Sequence, residues 1–493
     1  MIAMDQKSTD AKPTTIVIFG ASGDLAERKL IPALFSLYRK GRLPANTNIV
    51  GFSRTPYSHD EFRDHLRASA QQYSIQSFDA TAWEAFAAGL WYSPGDSKVA
   101  ADYERLQAFL SELEGGPADR IYYLATLPDL FATIGVTLGR SGMAREAGGW
   151  RRIVVEKPFG HDLASAQAIN KALHSVFDES QIYRMDHYLG KETAQNILFF
   201  RFGNTIFEPV WNRNYIDNVQ ITIIESADVG HRGAFYDQAG VLQDMFQNHL
   251  LQLLCMVAME PPASFEADAV RNEKIKVLSE VPPINLADTV RGQYQGYRET
   301  PHVAPDSQTA TYGALKLYVS NWRWEGVPFY LRSGKCLARK SSEIIIEFHR
   351  PPHPIFDNPA LTPNMLSLCI QPDEGIHLRF GAKVPDSAHE MRSLEMEFHY
   401  RSYFGGQPLP DAYERLLQDV LHGDASLFPR NDAIEAAWRL IDPVVEGWGS
   451  PDGPPLAICE RGSWGPKEAD QLIARDGRCW RQGCCVLEGP RGG

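Results

Sequence analysis

The sequence predicts an α/β domain followed by an α+β domain, and three observations support this division. Short apolar runs alternate with helical patterns through the first third of the chain. From about Asp217, strand-like segments instead alternate apolar with polar residues. The length of 493 residues exceeds what one ordinary hydrophobic core accommodates, so two or three domains are expected.

The first domain is predicted to be doubly wound. Its apolar runs are too uniform for half-solvated strands, which indicates a parallel sheet covered by helices on both faces. The helical pattern DLAERKLIPALFSLYRKG connects the first two runs. The predicted strands are TTIVIFG, NIVGFSR, RIYYLAT and RRIVVEKP.

The second domain is predicted to contain a large, mainly antiparallel sheet. Alternation of apolar and polar residues suits antiparallel strands that bury one face only. The polar, proline-containing segment TPHVAPDSQTATY is predicted to be a loop. The strand-like segments are DNVQITIIES, GALKLYVSN, SEIIIEFHR, GIHLRF and SLEMEFHY.

Charge and composition exclude several functional classes. The net charge of -12 argues against a general nucleic-acid binder or an anionic membrane as partner. The sequence shows neither a signal peptide nor an apolar run long enough to span a membrane, so a cytoplasmic protein is expected. Seven scattered cysteines, including the pair Cys484 and Cys485, predict reduced thiols rather than a disulfide framework.

The segment IVIFGASGDLAERKL predicts a strand, a tight turn from Gly20 to Gly23 and a helix that begins near Asp24. Glycine lets the backbone approach a ligand closely, and the amides at a helix N-terminus attract phosphate. A dinucleotide pyrophosphate fits such a turn. Ser22 and Leu25 replace the second and third glycines of G-x-G-x-x-G, so the turn alone equally fits an ordinary strand-to-helix connection.

Two basic residues follow predicted strands of the first domain. Arg54 stands where NAD-specific domains often carry an acid for the ribose hydroxyls, and an arginine there can pair with a 2′-phosphate instead. Lys157 precedes Pro158, which holds its backbone extended at a strand end that borders the ligand crevice. Both positions predict ligand contacts, and ordinary solvated charges are the alternative.

A long helical pattern, GVLQDMFQNHLLQLLCMVAME, carries His249 in its apolar stripe, four residues from Met245 and from Leu253. The pattern predicts a mostly buried imidazole. Burial favours the neutral form, and a carboxylate on the other ring nitrogen would hold one tautomer and restore basicity. A general base needs these properties. The alternative interpretation is a histidine of the hydrophobic core whose ring nitrogens are hydrogen-bonded and which has no catalytic role.

The stretch RMDHYLGKE places Asp186, His187, Tyr188 and Lys191 within six residues, around a single glycine. Three of these side chains are able to donate hydrogen bonds to a phosphate. Taken alone, such a cluster is usually a polar surface turn. Its interpretation therefore depends on the other segments of the chain.

Together and in this order, the segments resemble those of glucose-6-phosphate dehydrogenases, over nearly the whole chain. DHYLGKE is the most specific motif. The resemblance implies an NADP-binding Rossmann-like domain over 1–185 and a β+α domain over 186–493, which binds substrate and forms a homodimer or homotetramer through its sheet. The segments that carry the resemblance are GASGDLA, IVGFSR, EKPFG, RMDHYLGKE, FRFGNTIFEPVWNRNYI, QNHLLQLLCMVAME, PFYLRSGK and GSWGP.

The resemblance also implies roles for individual residues. His249 is implied as the catalytic base and Asp186 as the carboxylate that orients it. The residues implied to bind the substrate are Lys157, His187, Tyr188, Lys191, Glu225, Asp244 and Lys335. The residues implied to bind the coenzyme are Gly20, Ser22, Gly23, Asp24, Leu25, Arg54 and Lys157.

The implied reaction oxidises glucose 6-phosphate to its 6-phospho lactone, the first step of the pentose phosphate pathway. NADP is the implied coenzyme, with NAD as a weaker alternative. Another sugar oxidoreductase with an EKP strand would leave DHYLGKE unexplained, and an inactive coenzyme-binding protein would leave Asp186 and His249 unexplained. No metal is expected, because His349 and His353 have H-x3-H spacing but no nearby pair of further ligands.

Overall fold

The computed structural model describes residues 12–74, 78–353, 355, 362–406 and 408–484. The chain forms two compact units. Unit 1 comprises Met1–Lys191, Phe265–Arg271 and Pro410–Asn431, and unit 2 comprises Glu192–Ser264, Asn272–Leu409 and Asp432–Gly493. Two later segments therefore belong to unit 1, an arrangement that no single cut in the sequence describes.

The strands in the described residues are β1 Thr14–Phe19, β2 Thr47–Ser53, β3 Leu90–Pro94, β4 Asp119–Leu124, β5 Arg151–Val155, β6 Ile182–Arg184, β7 Ile216–Ile224, β8 Thr289–Tyr294, β9 Tyr312–Leu317, β10 Phe329–Gly334, β11 Ser341–Phe348, β12 Met365–Gln371, β13 Gly375–Lys383, β14 Met391–His399 and β15 Leu456–Cys459. The α-helices are α1 Ile31–Arg39, α2 His59–Tyr73, α3 Ala80–Ala87, α4 Ala100–Glu114, α5 Phe131–Arg140, α6 Leu163–His174, α7 Glu192–Phe202, α8 Gly233–Val241, α9 Leu251–Ala258, α10 Ala267–Ser279, α11 Tyr400–Tyr403, α12 Ala412–His422, α13 Asn431–Gly449 and α14 Lys467–Ala474. Two π-helical segments, Ala26–Leu30 and Leu242–Leu250, lead directly into α1 and α9. The short 3-10 turns are Pro128–Leu130, Glu179–Gln181, Glu208–Val210, Gly230–Arg232, Leu286–Asp288 and Tyr297–Glu299.

Unit 1 contains, within its described residues, a parallel sheet in the order β3-β2-β1-β4-β5-β6. Every residue of β1 is buried, as expected of a strand covered on both faces. The order reverses between β2 and β4, which flank β1, and such a switch point is where open α/β sheets bind ligands. The predicted doubly wound domain is confirmed, although the patterns missed the short strands β3 and β6.

Unit 2 contains a larger sheet in the order β14-β13-β12-β11-β7-β10-β9-β8-β15 across its described residues. Neighbours are antiparallel except for the pairs β7–β10 and β8–β15. The predicted large, mainly antiparallel sheet is confirmed. The predicted segments correspond to β7, β9, β11, β13 and β14, and TPHVAPDSQTATY is a loop that ends where β9 begins.

The expectation that only one face of this sheet is buried is wrong for its central strands. One face is apolar and packs on the π-helical segment Leu242–Leu250. The other face is polar, yet Gln220, Thr222 and Glu343 are buried on it. The C-terminal segment 475–484 covers this face: the amides of Gly483 and Cys484 donate to Glu343 Oε2 at 3.1 and 3.0 Å. Alternation in the sequence therefore records polarity rather than solvent exposure.

The same segment corrects the prediction that the thiols are reduced. Cys369 of β12 and Cys484 form a disulfide across 115 positions of sequence. The cysteines found free in the described residues are Cys255, Cys336, Cys459 and Cys479. Cys485, the other member of the predicted pair, lies outside the described residues.

The predicted long helix is confirmed as one helical run, π-helical over Leu242–Leu250 and α-helical over Leu251–Ala258, and it is more deeply buried than its pattern indicates. Gly240, with φ of 60° and ψ of -178°, separates α8 from the helical run that continues through α9. The predicted stripe is buried, but so are the polar residues Gln247, Asn248 and Gln252 on its other sides. No helix in the described part of the chain combines the length and apolar character needed to cross a membrane.

Candidate active site

The turn that follows β1 requires glycine for both its backbone conformation and its packing. Gly20 has φ of +82°, and a Cβ there would lie 2.3 Å from the carbonyl oxygen of Ala125. The Gly23 amide donates to the Gly20 carbonyl at 3.0 Å. Helical structure begins at Asp24, as predicted; Asp24 is exposed and Leu25 is half-buried. The turn therefore places a helix N-terminus beside β1, where dinucleotide-binding folds hold the pyrophosphate.

A series of hydroxyl groups connects this turn to the end of β2. Ser22 Oγ lies 2.7 Å from Ser53 Oγ, and Thr55 Oγ1 donates to Ser22 Oγ at 3.0 Å. Arg54 lies between these partners in sequence and is exposed. Among the described residues, no hydrogen bond or ion pair to Arg54 is found. Its guanidinium is therefore available to pair with a phosphate beside the turn.

Four predicted residues of unit 1 lie at the same edge of its sheet. Gly20, Arg54, Lys157 and Asp186 come shortly after β1, β2, β5 and β6. Because these strands are parallel, their carboxyl ends all lie at one edge. Lys157 is half-buried there. The topology thus brings the predicted coenzyme residues and the first residue of the DHYLGK motif to the ligand-binding edge.

Glu156 is a buried carboxyl at this edge, and no sequence pattern predicts a role for it. The Tyr123 hydroxyl donates to Glu156 Oε1 at 2.5 Å, and the Tyr413 hydroxyl also donates to this carboxyl. Burial raises the pKa of Glu156 to about 7, although the two tyrosines and Lys157 act in the opposite direction. Tyr413 comes from a distant segment of the chain, so no local sequence pattern could have predicted this environment.

The DHYLGK motif forms a compact turn against α12. Asp186 is 2% exposed and accepts a 2.9 Å hydrogen bond from the Tyr188 amide. The Lys191 amide donates to the Tyr188 carbonyl at 3.2 Å. A Cβ at Gly190 would lie 2.5 Å from the carbonyl oxygen of Ala412, the first residue of α12. The glycine of the motif is therefore required by the close approach of this helix.

The three predicted phosphate-binding residues are neighbours in this turn. The rings of His187 and Tyr188 lie 5.1 Å apart, and Lys191 Nζ lies 5.1 Å from the centroid of the Tyr188 ring. The His187 ring also stacks on Tyr413, with centroids 6.3 Å apart. Tyr188 is only 4% exposed, whereas His187 and Lys191 are half-buried. The imidazole and the ammonium group are thus the more accessible donors.

The three predicted sugar-binding residues of unit 2 converge at one end of its sheet. Glu225 and Lys335 follow β7 and β10, which are parallel neighbours. Lys335 Nζ forms an ion pair with Glu225 and lies 3.2 Å from Asp244 Oδ2. The Tyr236 ring, which no sequence pattern singled out, lies with its centroid 5.5 Å from the same ammonium group. Burial lowers the pKa of Lys335, but Asp244 and Glu225 outweigh it and raise the pKa overall.

His249 lies in the π-helical segment Leu242–Leu250 and is 1% exposed, which confirms its predicted burial. Its amide donates to Asn248 Oδ1 at 2.6 Å. Asp244 precedes it by five positions in the same segment. A π-helix has hydrogen bonds between residues i and i+5. Two residues that are five positions apart therefore lie closer to the same face of a π-helix than of an α-helix. The π-helical winding thus turns Asp244 and His249 in similar directions.

The fold and these residues define a class of protein. A parallel sheet with a glycine turn at its switch point is a dinucleotide-binding architecture. Unit 2 adds a buried histidine, a residue type able to accept a proton, and a lysine–carboxylate cluster, whose charged groups are able to bind polar ligands. These features are those of a dinucleotide-dependent oxidoreductase.

Comparisons with known proteins narrow this class to one family. The model of the NAD binding domain of glucose-6-phosphate dehydrogenase matches residues 17–196, and the model of its C-terminal domain matches residues 198–481. The chain is 43% identical over 492 residues to glucose-6-phosphate 1-dehydrogenase of Chlamydia muridarum (strain MoPn / Nigg), covering 95% of this chain and 97% of that protein. It is 45% identical over 489 residues to the Aggregatibacter actinomycetemcomitans enzyme, covering 96% and 98%.

Solved structures agree with these relatives. A glucose-6-phosphate dehydrogenase in complex with its substrate glucose-6-phosphate superposes with a TM-score of 0.90 at 35% identity, covering 97% of this chain and all of that one. Glucose-6-phosphate 1-dehydrogenase from Mycobacterium avium gives a TM-score of 0.83 at 37% identity, covering 95% and 99%. The chain belongs to the glucose-6-phosphate dehydrogenase family, and its first domain binds a nicotinamide dinucleotide.

Proposed function

We infer that the chain oxidises glucose 6-phosphate at C1 to 6-phospho-D-glucono-1,5-lactone and transfers the hydride to a nicotinamide dinucleotide. Similarity over nearly the full length to glucose-6-phosphate dehydrogenases carries this inference, since one of them is solved with that sugar phosphate. The glycine turn in unit 1 and the lysine–carboxylate cluster in unit 2 support it.

We propose His249 as the general base that removes the proton of the C1 hydroxyl as the hydride leaves C1. Asp186 is proposed to favour the protonated imidazole that results. Both side chains are at most 2% exposed. Exclusion of bulk water strengthens their electrostatic interactions with bound groups. A positioned base of this kind contributes about 10²–10⁴-fold to the rate.

Separate groups are proposed to hold the two ends of the sugar. His187, Lys191 and Tyr188 are assigned to the phosphate, supported by the proximity of their side chains to one another. Glu225 and Asp244 are assigned to the sugar hydroxyls and Lys335 to a further contact with the substrate, supported by their ion-paired cluster. Lys157 is assigned to both coenzyme and sugar. Binding energy from the phosphate, remote from C1, supports alignment of the reacting carbon.

NADP is proposed as the preferred coenzyme. Gly20, Ser22, Gly23, Asp24 and Leu25 are assigned to its pyrophosphate side, where the turn presents backbone amides. Arg54 is assigned to the 2′-phosphate, because its exposed guanidinium has no partner among the described residues and follows β2. NAD lacks that phosphate and is expected to bind more weakly.

A homodimer, or a homotetramer built from dimers, is proposed for the assembly. β14 is an edge strand of the sheet, and its residues Leu394 and Met396 are 50% and 60% exposed. They pair with Phe380 and Leu378 of β13, so the hairpin presents an apolar face. Apolar patches on edge strands favour association with a second copy.

Two further assignments are proposals. The substrate-binding domain is proposed to begin at residue 186 of the sequence, and the DHYLGK motif, which lies in the compact unit 1, is proposed to contribute its side chains to substrate binding. The cytoplasm is proposed as the location, because a phosphorylated sugar and a nicotinamide coenzyme are metabolites of that compartment. Cell fractionation with antibodies against the chain tests this location.

The function is tested by steady-state assays that follow the absorbance of the reduced coenzyme. Glucose 6-phosphate is supplied with NADP or NAD, and unphosphorylated glucose is the control substrate. Rapid turnover with glucose 6-phosphate and slow turnover with glucose are expected. Tight coenzyme binding without turnover on either sugar would instead show an inactive coenzyme-binding protein.

A further inference from the structure

The edge hairpin β13–β14 carries a cluster of metal-ligating side chains on the face opposite Leu394 and Met396. His377 pairs with Glu397 in the strand register, and Glu395 lies two residues before Glu397. One ligand atom from each of His377, Glu395 and Glu397 lies within 4.8 Å of the others. Because residues two apart in a strand share a face, the backbone itself places these groups together.

His377 provides an independent indication of a ligand. It is 4% exposed, and neither ring nitrogen has a hydrogen-bond partner among the described residues. Ser367, its neighbour in β12, is fully buried and its hydroxyl likewise has no partner within that part of the chain. Buried polar groups in native proteins almost always have a partner. A bound ion next to the imidazole would supply one.

His399 extends the cluster from the end of β14. Its ring meets that of His377 edge to face, with centroids 5.0 Å apart. Its Nε2 lies 3.4 Å from Glu397 Oε2, and its Nδ1 lies 3.1 Å from Asp373 Oδ1. Histidines that bind metals typically hold a carboxylate on the second ring nitrogen, which fixes the tautomer and the ring orientation. His399 is arranged in this way.

We propose that the β13–β14 hairpin binds one zinc ion through His377, Glu397, Glu395 and His399. Mixed imidazole and carboxylate ligands suit Zn²⁺, whereas Mg²⁺ and Ca²⁺ prefer oxygen ligands alone. Glu395 Oε1 accepts from Arg379 Nε at 2.8 Å, and the second carboxylate oxygen is assigned to the metal. Ligand atoms of a tetrahedral zinc site lie about 3.4 Å apart, so the side chains contract around the ion. The ion would link β13 and β14, which are neighbouring strands at one edge of the sheet.

The site is tested by direct metal binding, without any catalytic assay. Full-length protein stripped with a chelator is titrated with Zn²⁺ in competition with a chromophoric chelator. Glu397→Gln and His377→Asn each remove one ligand. His389→Asn is the matched control, because His389 is exposed in the connection between the same two strands. The thermal unfolding midpoint of each variant is measured with and without Zn²⁺.

The wild type and His389→Asn are expected to bind one Zn²⁺ that Glu397→Gln and His377→Asn bind at least about 10-fold more weakly. Zn²⁺ should raise the unfolding midpoint of the wild type more than that of either ligand variant. Equal stoichiometry, affinity and thermal shift in the wild type and Glu397→Gln would overturn the proposal. The same conclusion follows if the wild type binds no Zn²⁺. If His377→Asn does not fold, Zn²⁺ binding by Glu397→Gln alone tests the proposal, because Glu397 is exposed.

Discussion

Arg54 is the residue on which coenzyme choice is expected to depend. Replacing it with alanine should weaken NADP binding by about 1.5–3 kcal/mol, the range for hydrogen bonds to charged groups, and leave NAD binding nearly unchanged. Fluorescence titration of both coenzymes measures this difference. Arg140→Ala is the control, because Arg140 is exposed at the C-terminal end of α5, at the opposite edge of the sheet. Equal losses for NADP and NAD would assign Arg54 to another role.

His249 and Asp186 are expected to act as a unit. In His249→Asn, kcat should fall by at least about 10²–10⁴-fold while glucose 6-phosphate still binds, because the amide cannot accept the proton. Asp186→Asn should also cause a large loss. In the double variant the losses should not add, because Asp186 is proposed to act through His249 and either substitution then disables the same step.

The measurements for this pair are kcat against pH for the wild type and the three variants, and binding of glucose 6-phosphate by calorimetry. The wild-type profile should fall at low pH as the imidazole becomes protonated before reaction, and the His249→Asn profile should lack that limb. Near-normal turnover of His249→Asn would show that this histidine is a core residue only.

Glu156, at the carboxyl edge of the parallel sheet, is expected to make the free energy of unfolding depend on pH. The pKa of Glu156 is raised to about 7, so the folded state holds a proton that the unfolded chain releases near its ordinary value. The contribution of Glu156 to the free energy of unfolding is fully present at pH values below the ordinary pKa of a glutamate. This contribution is lost as the pH rises to about 7. The loss is at most about 3 kcal/mol at 1.36 kcal/mol per pKa unit.

Glu156→Gln is expected to remove this dependence. The variant should unfold at a higher temperature than the wild type at about pH 8 and at a similar temperature near pH 5, because glutamine resembles the protonated carboxyl. Calorimetry over this range measures the difference. Glu104→Gln, an exposed position of α4, is the control. A difference between Glu156→Gln and the wild type that does not change with pH would contradict this origin.

At the scale of elements, the glycine turn after β1 offers a matched pair of substitutions. Gly20 and Gly41 both have positive φ, but a Cβ at Gly41 meets no atom within 4 Å, whereas at Gly20 it meets the Ala125 carbonyl. Both alanine variants incur the left-handed backbone cost of about 1–2 kcal/mol. Gly20→Ala should lose about 1–3 kcal/mol more through overpacking, and should also bind coenzyme more weakly.

Thermal unfolding and coenzyme titration of the two variants separate these contributions. Similar unfolding temperatures for Gly20→Ala and Gly41→Ala would show that the turn relaxes without cost. Unchanged coenzyme affinity in Gly20→Ala would remove this turn from the coenzyme site.

Some strands and helices could be predicted from sequence patterns, and others could not. The uniformly apolar β1, β2, β4 and β5 were predictable because strands buried on both faces leave no polar alternation. β6 was missed because three residues are too few for a periodicity. The π-helical winding around His249 was missed because the apolar stripe, with Met245 and Leu253 four residues on either side of this histidine, fits an α-helix.

At the scale of the whole molecule, the apolar face of the β13–β14 hairpin is expected to control assembly. Met396→Glu places a charge on this face and should shift the protein toward monomers in sedimentation velocity experiments. Ser393→Glu adds the same charge on the opposite face of β14 and is the control, because successive residues of a strand point to opposite faces. An unchanged sedimentation coefficient in Met396→Glu would place the subunit interface elsewhere.

The sequence by itself determined both fold classes, the glycine turn and the segments that carry the family resemblance. These features depend on local periodicity, on backbone conformation and on motifs of a few residues, all of which can be read along the chain. Burial of His249 was also predictable, because its helix is apolar on the side that carries it.

Only the tertiary structure decided which distant residues meet. Tyr413 reaches Glu156 and His187, the C-terminal segment covers the polar face of the larger sheet, and Cys484 joins Cys369. The lysine–carboxylate cluster around Lys335 and the imidazole–carboxylate cluster around His377 depend on strand order and register. These contacts are selected by the packing of the whole chain, since local sequence carries no information about which segments lie side by side.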